Sequence, residues 1–261
     1  MPGGPAPAVA SRAVTRVPAH RGANRMAPEN TLAAFARAVA LGADGVELDV
    51  HRTADDRLVV RHDAAGPQGL LCDLRLAEVR AALPEVPTLE EALDVCRGRL
   101  VNVEIKNSPH EGDWDPTERA AAVLVDLLAA RESRDDVLVS SFNLPSIDRV
   151  RSLEPGVATA LLTVGTDPLQ GLLVADSHGH RALHPDVRSL AGARAGAVTM
   201  RAHELGLGVN VWTVNDPTEL ARLAAAGVDA LITDVPDLAL SVLAPTDHRN
   251  GGVSDAETRG G

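Results

Sequence analysis

The sequence predicts a single β/α barrel with eight parallel strands and a short hairpin arm after the second strand. Three observations support this fold class. The chain has 261 residues, close to the roughly 250 that are typical of one such barrel. Short β-rich runs alternate with Ala- and Leu-rich segments of helical periodicity, which is typical of a parallel sheet with crossover helices. Nine strand-like runs occur, and one of them fits the return arm of a hairpin.

The strand-like runs are rich in β-branched and aliphatic residues. In chain order they are Arg16–Ala19, Gly45–Val50, Leu58–His62, Leu100–Ile105, Val137–Ser141, Val157–Leu162, Arg181–His184, Gly208–Thr213 and Ala230–Thr233. Only a short polar segment, with Asp55 and Asp56 at its tip, separates the second run from the third. Leu58–His62 is therefore expected to fold back on the second strand as a hairpin arm. Eight parallel strands remain, the number that closes a barrel.

Three helices have readable ends. Thr88 and Glu91 form a capping-box pattern, and Asp216 stands at an N-cap position before a proline. Apolar residues recur at helical spacing from 31 to 41, and Gly42 is placed to end that helix. Each helix follows or precedes a strand-like run at short distance, which agrees with the barrel.

Composition limits the classes of partner. Hydrophobic residues make up 45% of the chain and aromatic residues only 2%, so an aliphatic core is expected. The formal net charge is −11, which argues against nucleic acid as a partner because binding a phosphate backbone requires a basic surface. Cys72 and Cys96 are too few for a disulfide framework and are expected to be small buried apolar groups.

The two ends of the chain differ from its centre. Residues 1–15 are rich in Pro, Gly and Ala, and residues 245–261 contain Gly-Gly pairs and scattered charges, so both are predicted to be disordered tails around a barrel spanning 16–244. The sequence has neither an apolar run of the secretory type nor 18 consecutive apolar residues. We therefore expect a cytoplasmic protein without stable membrane insertion.

Three carboxylates lie on predicted strands. Side chains alternate along a strand, so Glu47 and Asp49 point to the same face of theirs, and Glu104 lies on a separate strand. Charged groups on apolar strands are costly to bury unless they are paired or bind a metal. Oxygen ligands without cysteine or clustered histidine favour Mg²⁺ or Ca²⁺ over zinc, and Mn²⁺ is compatible with the same ligands. We predict one divalent cation held by Glu47, Asp49 and Glu104.

Two histidines stand near the carboxyl ends of predicted strands, where the active sites of β/α barrels lie. His20 follows the first strand and His62 ends the hairpin arm. Their ordinary pKa of about 6.5 suits general acid and base catalysis. His51, two positions after Asp49, could also face the pocket, but an exposed position on the hairpin is the favoured interpretation. The spacing of His178, His180 and His184 suggests a second metal, and His184 bordering the substrate is another interpretation.

Two basic residues accompany this group. Arg21 and Lys106 are expected beside the same mouth, and an arginine fork matches a phosphoryl group with two parallel hydrogen bonds. The alternative is that both residues form structural ion pairs with Glu47 or Asp49.

The motifs HRG, PENT, ELDV, RHD, VEIK, VWTVND and ALITDVPD follow one another in this order. Together they resemble the glycerophosphodiester phosphodiesterase family, and the resemblance runs from about Arg16 to Leu240. It implies a β/α barrel, a cation at the three carboxylates, acid/base catalysis by His20 and His62, and phosphate contacts from Arg21 and Lys106. It also implies that Trp212 lines the pocket near the glycerol moiety of the substrate; without the resemblance Trp212 would be assigned to the core.

The resemblance implies hydrolysis of a small-molecule glycerophosphodiester, such as glycerophosphocholine or glycerophosphoethanolamine, to sn-glycerol 3-phosphate and an alcohol. Either water or the glycerol 2-hydroxyl can serve as nucleophile. One alternative is a lysophospholipase D-like or cyclising phosphodiesterase on the same barrel, which the scarcity of aromatic residues disfavours. Another is a catalytically silent barrel that only binds phosphodiesters. The intact histidine pair and the three acids argue against it, because binding alone needs no acid and base.

Overall fold

The structure, a computed structural model, describes residues 14–131 and 136–244. Residues 1–13 and 245–261, most of the two predicted tails, lie outside the described residues. The strands are β1 Pro18–His20, β2 Gly45–Arg52, β3 Leu58–Val60, β4 Ala65–Gly66, β5 Gly69–Leu70, β6 Leu100–Ile105, β7 Asp136–Ser141, β8 Ala158–Thr163, β9 Ala182–Pro185, β10 Gly208–Val211 and β11 Ala230–Leu231.

Helices follow most of the barrel strands. The α-helices are α1 Leu32–Leu41, α2 Leu76–Ala82, α3 Leu89–Val95, α4 Arg119–Ala130, α5 Leu144–Leu153, α6 Pro168–Ser177, α7 Arg194–Glu204, α8 Pro217–Ala226 and α9 Pro236–Leu243, and Leu71–Asp73 and Val187–Leu190 form short 3₁₀ turns. Within the described ranges, no helix is long and apolar enough to cross a membrane.

Eight parallel strands form the barrel in the order β1-β2-β6-β7-β8-β9-β10-β11. The ring closes between β11 and β1, where Leu231 N donates to Arg16 O at 2.9 Å and Thr233 N donates to Pro18 O at 3.1 Å. β3 pairs antiparallel with β2 as the predicted hairpin arm. The predicted fold class, a single β/α barrel with that arm, is confirmed.

The predicted helix ends are also confirmed. The Thr31 side chain accepts a hydrogen bond from Ala34 N, and Gly42 ends α1 with a φ of 85°, a conformation that costs glycine little because it has no Cβ. Thr88 and Glu91 form the capping box of α3, and Asp216 caps α8.

Most of the predicted strands differ from the observed ones by one or two residues at an end, and two of these differences concern the predicted site histidines. β1 is displaced toward His20, and β3 ends at Val60 rather than at His62. The antiparallel pairing of β3 with β2 ends at Val60, apart from one further hydrogen bond from Arg61 N to Asp49 O at 3.0 Å. His62 therefore lies on the loop that follows. β4 and β5, a short hairpin after the arm, were not predicted from the sequence.

The close approach of β2 to β6 at Gly45 accompanies the register that brings the candidate ligands on these two strands together. A Cβ on Gly45 would overlap the carbonyl oxygen of Leu100, so glycine permits this approach. In the resulting register Asp49 lies opposite Glu104. The surrounding core is aliphatic, as predicted, and Phe35 is fully buried within it.

Candidate active site

Strand register brings the predicted ligands to one end of the barrel. His20 of β1 lies opposite Glu47 of β2, and Asp49 of β2 lies opposite Glu104 of β6. These positions are near the carboxyl ends of three adjacent parallel strands, the end at which β/α barrels carry active sites. Because side chains alternate along each strand, the four side chains share the interior face.

The three carboxylates form a buried cluster. Glu47, Asp49 and Glu104 are all buried, and one oxygen from each lies within 4.8 Å of the others. Burial and the charge of Asp49 raise the pKa of Glu104 to about 7. Burial, followed by the charges of Asp49 and Glu104, also raises the pKa of Glu47 well above its usual value. The carboxylates thus repel one another strongly, and a divalent cation among their oxygens would relieve the repulsion.

Neighbouring groups hold two of these carboxylates in position. Asn30 Nδ2 donates to Asp49 Oδ2 at 2.8 Å, and both residues are buried. The backbone N–H of Arg21 donates to Glu47 Oε2 at 3.0 Å. Each contact uses one oxygen of its carboxylate, so lone pairs remain for a cation. The cluster therefore presents carboxylate oxygens that could bind a cation.

Both predicted basic residues contact the cluster. Arg21 Nε is 3.3 Å from Asp49 Oδ2, and its Nη1 donates to Glu29 at 3.0 Å. Lys106 Nζ is 3.2 Å from Glu104 Oε1 and 4.0 Å from Asp49 Oδ1. Burial lowers the pKa of Lys106, but the charges of Glu104 and Asp49 outweigh it and raise the pKa overall. Both residues are therefore cations, and each makes the ion pair that the alternative interpretation required.

His20 has a partly buried acidic partner, Asp234, on the side of its ring opposite the carboxylate cluster. Its Nδ1 lies 2.7 Å from Asp234 Oδ1, and its Nε2 lies 3.9 Å from Glu47 Oε2. Burial opposes ionisation of Asp234, but hydrogen bonds from His20, Asn24 and Asn215 keep its pKa well below the usual value. An ionised Asp234 holds the proton on Nδ1 and leaves Nε2 as the basic nitrogen.

His62 lies on the loop after β3 and is partly exposed. Its Nδ1 is 2.9 Å from Asp63 Oδ1, and its side chain is 39% exposed. No hydrogen bond within 14–131 or 136–244 joins it to His20 or to the carboxylates. It does line a cavity of about 190 Å³ together with Glu29 and Asn30, which contact Arg21 and Asp49. The structure thus places His62 beside the cluster but not in contact with it.

Trp212 follows β10 and lies at the same end of the barrel. Its Nε1 donates to His184 O at 2.8 Å. Its ring packs edge-to-face against Phe142, which follows β7, with centroids 5.5 Å apart. Phe142 is 37% exposed, so the pair forms an aromatic wall at the mouth of the barrel.

Two interpretations of other histidines were wrong. His51 is buried rather than exposed: its Nδ1 is 2.6 Å from Asp113 Oδ2 and its Nε2 is 3.1 Å from His62 O, so it supports the loop that carries His62. His184 does not border the mouth. It lines a cavity of about 340 Å³ toward the amino ends of the strands, and its Nε2 is 2.8 Å from Asn210 Nδ2.

Sequence reasoning missed Asp234, Asn30 and Phe142. Asp234 directly follows the last predicted strand, so the positional argument that identified His20 applies equally to it. Asn30 lies within the PENT motif, but nothing in one sequence indicates that its amide reaches Asp49. Phe142 also follows a predicted strand. Since the chain has only two phenylalanines, one placed directly after a strand could have been considered for the site.

Comparison with known proteins shows which family the chain resembles. Residues 20–238 match the model of the glycerophosphoryl diester phosphodiesterase family. A glycerophosphodiester phosphodiesterase of Caldanaerobacter subterraneus is 31% identical over 251 residues, covering 88% of this chain and 98% of that protein. One from Bacillus altitudinis is 29% identical over 250 residues, with 88% and 98% coverage.

Solved structures show the same architecture. A phosphodiesterase from Oleispira antarctica, solved in complex with its product sn-glycerol-3-phosphate, superposes with a TM-score of 0.76 at 27% identity, covering 88% of this chain and 97% of that one.

Proposed function

The chain belongs to the glycerophosphoryl diester phosphodiesterase family and is an enzyme of that class, and we propose that it hydrolyses glycerophosphodiesters to sn-glycerol 3-phosphate and an alcohol. The family relatives and the neighbour structure that holds sn-glycerol-3-phosphate support this substrate class. Glycerophosphocholine and glycerophosphoethanolamine are the substrates that we would test first.

The observation that carries the proposal is the buried carboxylate cluster next to a histidine with its own acidic partner. Three carboxylates face two cations, Arg21 and Lys106, so when all three are ionised they carry one more charge than these cations balance. A bound metal cation would supply the missing positive charge. We propose that Glu47, Asp49 and Glu104 hold Mg²⁺ or Ca²⁺, with Mn²⁺ as a further candidate. When bound, such a cation polarises the phosphoryl oxygens and offsets their developing charge.

In this proposal His20 is the general base. Its Nε2 faces the interior near Glu47, and the Asp234 carboxylate stabilises the imidazolium that forms when Nε2 accepts a proton. The nucleophile is water or the glycerol 2-hydroxyl. His62, on the more exposed side, protonates the departing alcohol. This role requires the substrate to span the distance between the two histidines.

Substrate contacts complete the site. Arg21 Nε is buried and lies 3.3 Å from Asp49 Oδ2, but it makes no hydrogen bond among the described residues. In this proposal the Arg21 guanidinium donates to a phosphoryl oxygen. Lys106 adds a second positive charge next to the same carboxylates. Trp212, with Phe142 against it, supplies an apolar surface for the carbon skeleton of the glycerol.

A turnover assay tests the function directly. Glycerophosphocholine is supplied to the purified enzyme, and release of sn-glycerol 3-phosphate is measured with added Mg²⁺ or Ca²⁺ and with excess chelator. We expect turnover that the chelator abolishes and either cation restores. Glu47→Gln keeps an acceptor for Arg21 N but removes a ligand charge, so it should weaken cation activation while the protein stays folded. Glu78→Gln is the control, because Glu78 is exposed on α2 and a glutamine can also accept the hydrogen bond from Arg75 N that it makes at the helix start.

The assay also separates the alternatives. Full turnover in excess chelator would contradict the cation proposal. A cyclic phosphate as the final product would identify a cyclising enzyme. Binding without turnover of glycerophosphocholine or glycerophosphoethanolamine would contradict the proposed hydrolysis.

A further inference from the structure

A second group of potential metal ligands lies outside the barrel, near the amino end of β9. Asp148 lies on α5, His178 ends α6, and His180 stands two residues before β9. One ligand atom from each lies within 4.8 Å of the others. Since the candidate active site lies at the carboxyl ends of the strands, the two groups are at opposite ends of the barrel.

His180 provides an unpaired nitrogen aimed into this group. The side chain of His180 is fully buried, and its Nε2 lies 3.4 Å from Asp148 Oδ1. That nitrogen has no hydrogen-bond partner among the described residues. A buried polar atom without a hydrogen bond costs free energy, so a ligand that Nε2 could bind would lower that cost.

The other nitrogen of the His180 ring is already oriented. Its Nδ1 lies 2.9 Å from Thr159 Oγ1, in a fully buried contact. Metal-binding histidines commonly donate their second ring nitrogen to such a partner, which fixes the tautomer and the ring orientation. With the proton on Nδ1, Nε2 presents its lone pair toward Asp148.

His178 completes the group on the side open to solvent. Its Nδ1 is 2.9 Å from Asp148 Oδ2, and its side chain is 39% exposed. The His178 and His180 rings are nearly parallel, 13° apart, with centroids separated by 6.0 Å. An ion can therefore enter past His178, and one coordination position stays available for water.

We propose that Asp148, His178 and His180 bind a zinc-type transition-metal ion. Two imidazole nitrogens and one carboxylate suit Zn²⁺, whereas Mg²⁺ and Ca²⁺ prefer oxygen ligands alone. The guanidinium of Arg151 packs against Gly179 and disfavours a cation held by charge alone, so coordination by nitrogen has to dominate. The ion would join α5 to the turn between α6 and β9 and stabilise that edge of the fold.

Calorimetric titration with Zn²⁺ tests the proposal. The enzyme is used without a histidine tag, in excess Mg²⁺ to occupy the carboxylate cluster. We expect the wild type to bind one more equivalent of Zn²⁺ than His178→Ala, or to bind it at least about tenfold more tightly. Asp148→Asn should behave like His178→Ala. Both positions are partly exposed, so these variants are expected to fold.

His203→Ala is the matched control. His203 forms an exposed pair with Asp229 at 3.0 Å and is not part of the group, so its Zn²⁺ titration should match the wild type. Zn²⁺ should also raise the Tm of the wild type and of His203→Ala more than that of His178→Ala, because a ligand that binds only the folded state stabilises it. Identical titrations and Tm shifts in all four proteins would overturn the proposal. It would stand even if the enzyme failed to hydrolyse glycerophosphodiesters.

Discussion

The Asp234 carboxylate lies 2.7 Å from Nδ1 of His20, on the side of the imidazole opposite the carboxylate cluster. The pair joins the first and last strands of the barrel, because His20 ends β1 and Asp234 follows β11. Closure of the ring between these strands positions it. The orientation of the proposed general base therefore depends on the last strand of the fold.

Asp234→Asn should impair the enzyme without unfolding it. Asparagine fits the same volume, but its neutral amide neither stabilises the imidazolium nor fixes the tautomer, so we expect kcat to fall about 100-fold or more. Steady-state kinetics on glycerophosphocholine and a thermal melt measure the two effects separately. Asp94→Asn, at an exposed ion pair, is the control. If kcat were unchanged in Asp234→Asn, His20 would not depend on this partner.

Arg21→Lys tests phosphate recognition against a purely structural ion pair. Lysine keeps the positive charge near Asp49 but cannot reproduce a planar fork. Loss of one charge-assisted hydrogen bond, worth about 1.5–3 kcal/mol, should lower kcat/KM by about tenfold or more. A lower Tm with unchanged kcat/KM would instead assign Arg21 to the ion pair with Glu29 and Asp49. Arg201→Lys, in an exposed pair, controls for the exchange itself.

The two histidines should respond differently to the leaving group. A general acid matters when the departing oxygen is strongly basic, as in an alkoxide, but a nitrophenolate departs unaided. We expect His62→Ala to lose far more activity on glycerophosphocholine than on a glycerol nitrophenyl phosphodiester, and His20→Ala to be impaired on both. The rates of both variants on both substrates show which histidine acts as the leaving-group acid. The reverse pattern would exchange the roles, and equal losses would remove the proposed acid.

His184 should make the stability of the protein depend on pH. Burial lowers the pKa of its imidazole from 6.5 to about 3. Between these values the unfolded chain binds a proton that the folded protein does not, so this contribution to stability is complete above pH 6.5 and is lost as the pH falls toward 3. The slope is at most about 1.4 kcal/mol per pH unit.

Denaturant unfolding from pH 7 to pH 4 measures this effect. His184→Gln keeps an acceptor for the Asn210 amide but does not titrate, so its free energy of unfolding should fall less steeply with decreasing pH than that of the wild type. His203→Gln, at an exposed position, should retain the wild-type slope. Parallel slopes in all three proteins would mean that His184 is accessible to protons in the folded state.

Much of the candidate site could be read from the sequence because it depends on local patterns. Alternation along a strand puts Glu47 and Asp49 on one face whatever the rest of the fold does. The helix ends at Gly42 and at Thr88 also follow from neighbouring residues, because a cap satisfies backbone groups within a few positions. Position at the end of a strand sufficed to select His20 as a candidate site residue.

Tertiary structure alone decided which side chains meet. Asp234 reaches His20 across 214 positions of sequence, and Asn30 reaches Asp49 because a loop folds over the end of β2. His51 is buried by Asp113, a contact that no strand pattern predicts. Ring closure and loop packing depend on the free energy of the whole molecule, whereas strand alternation and helix capping are determined by a few adjacent residues.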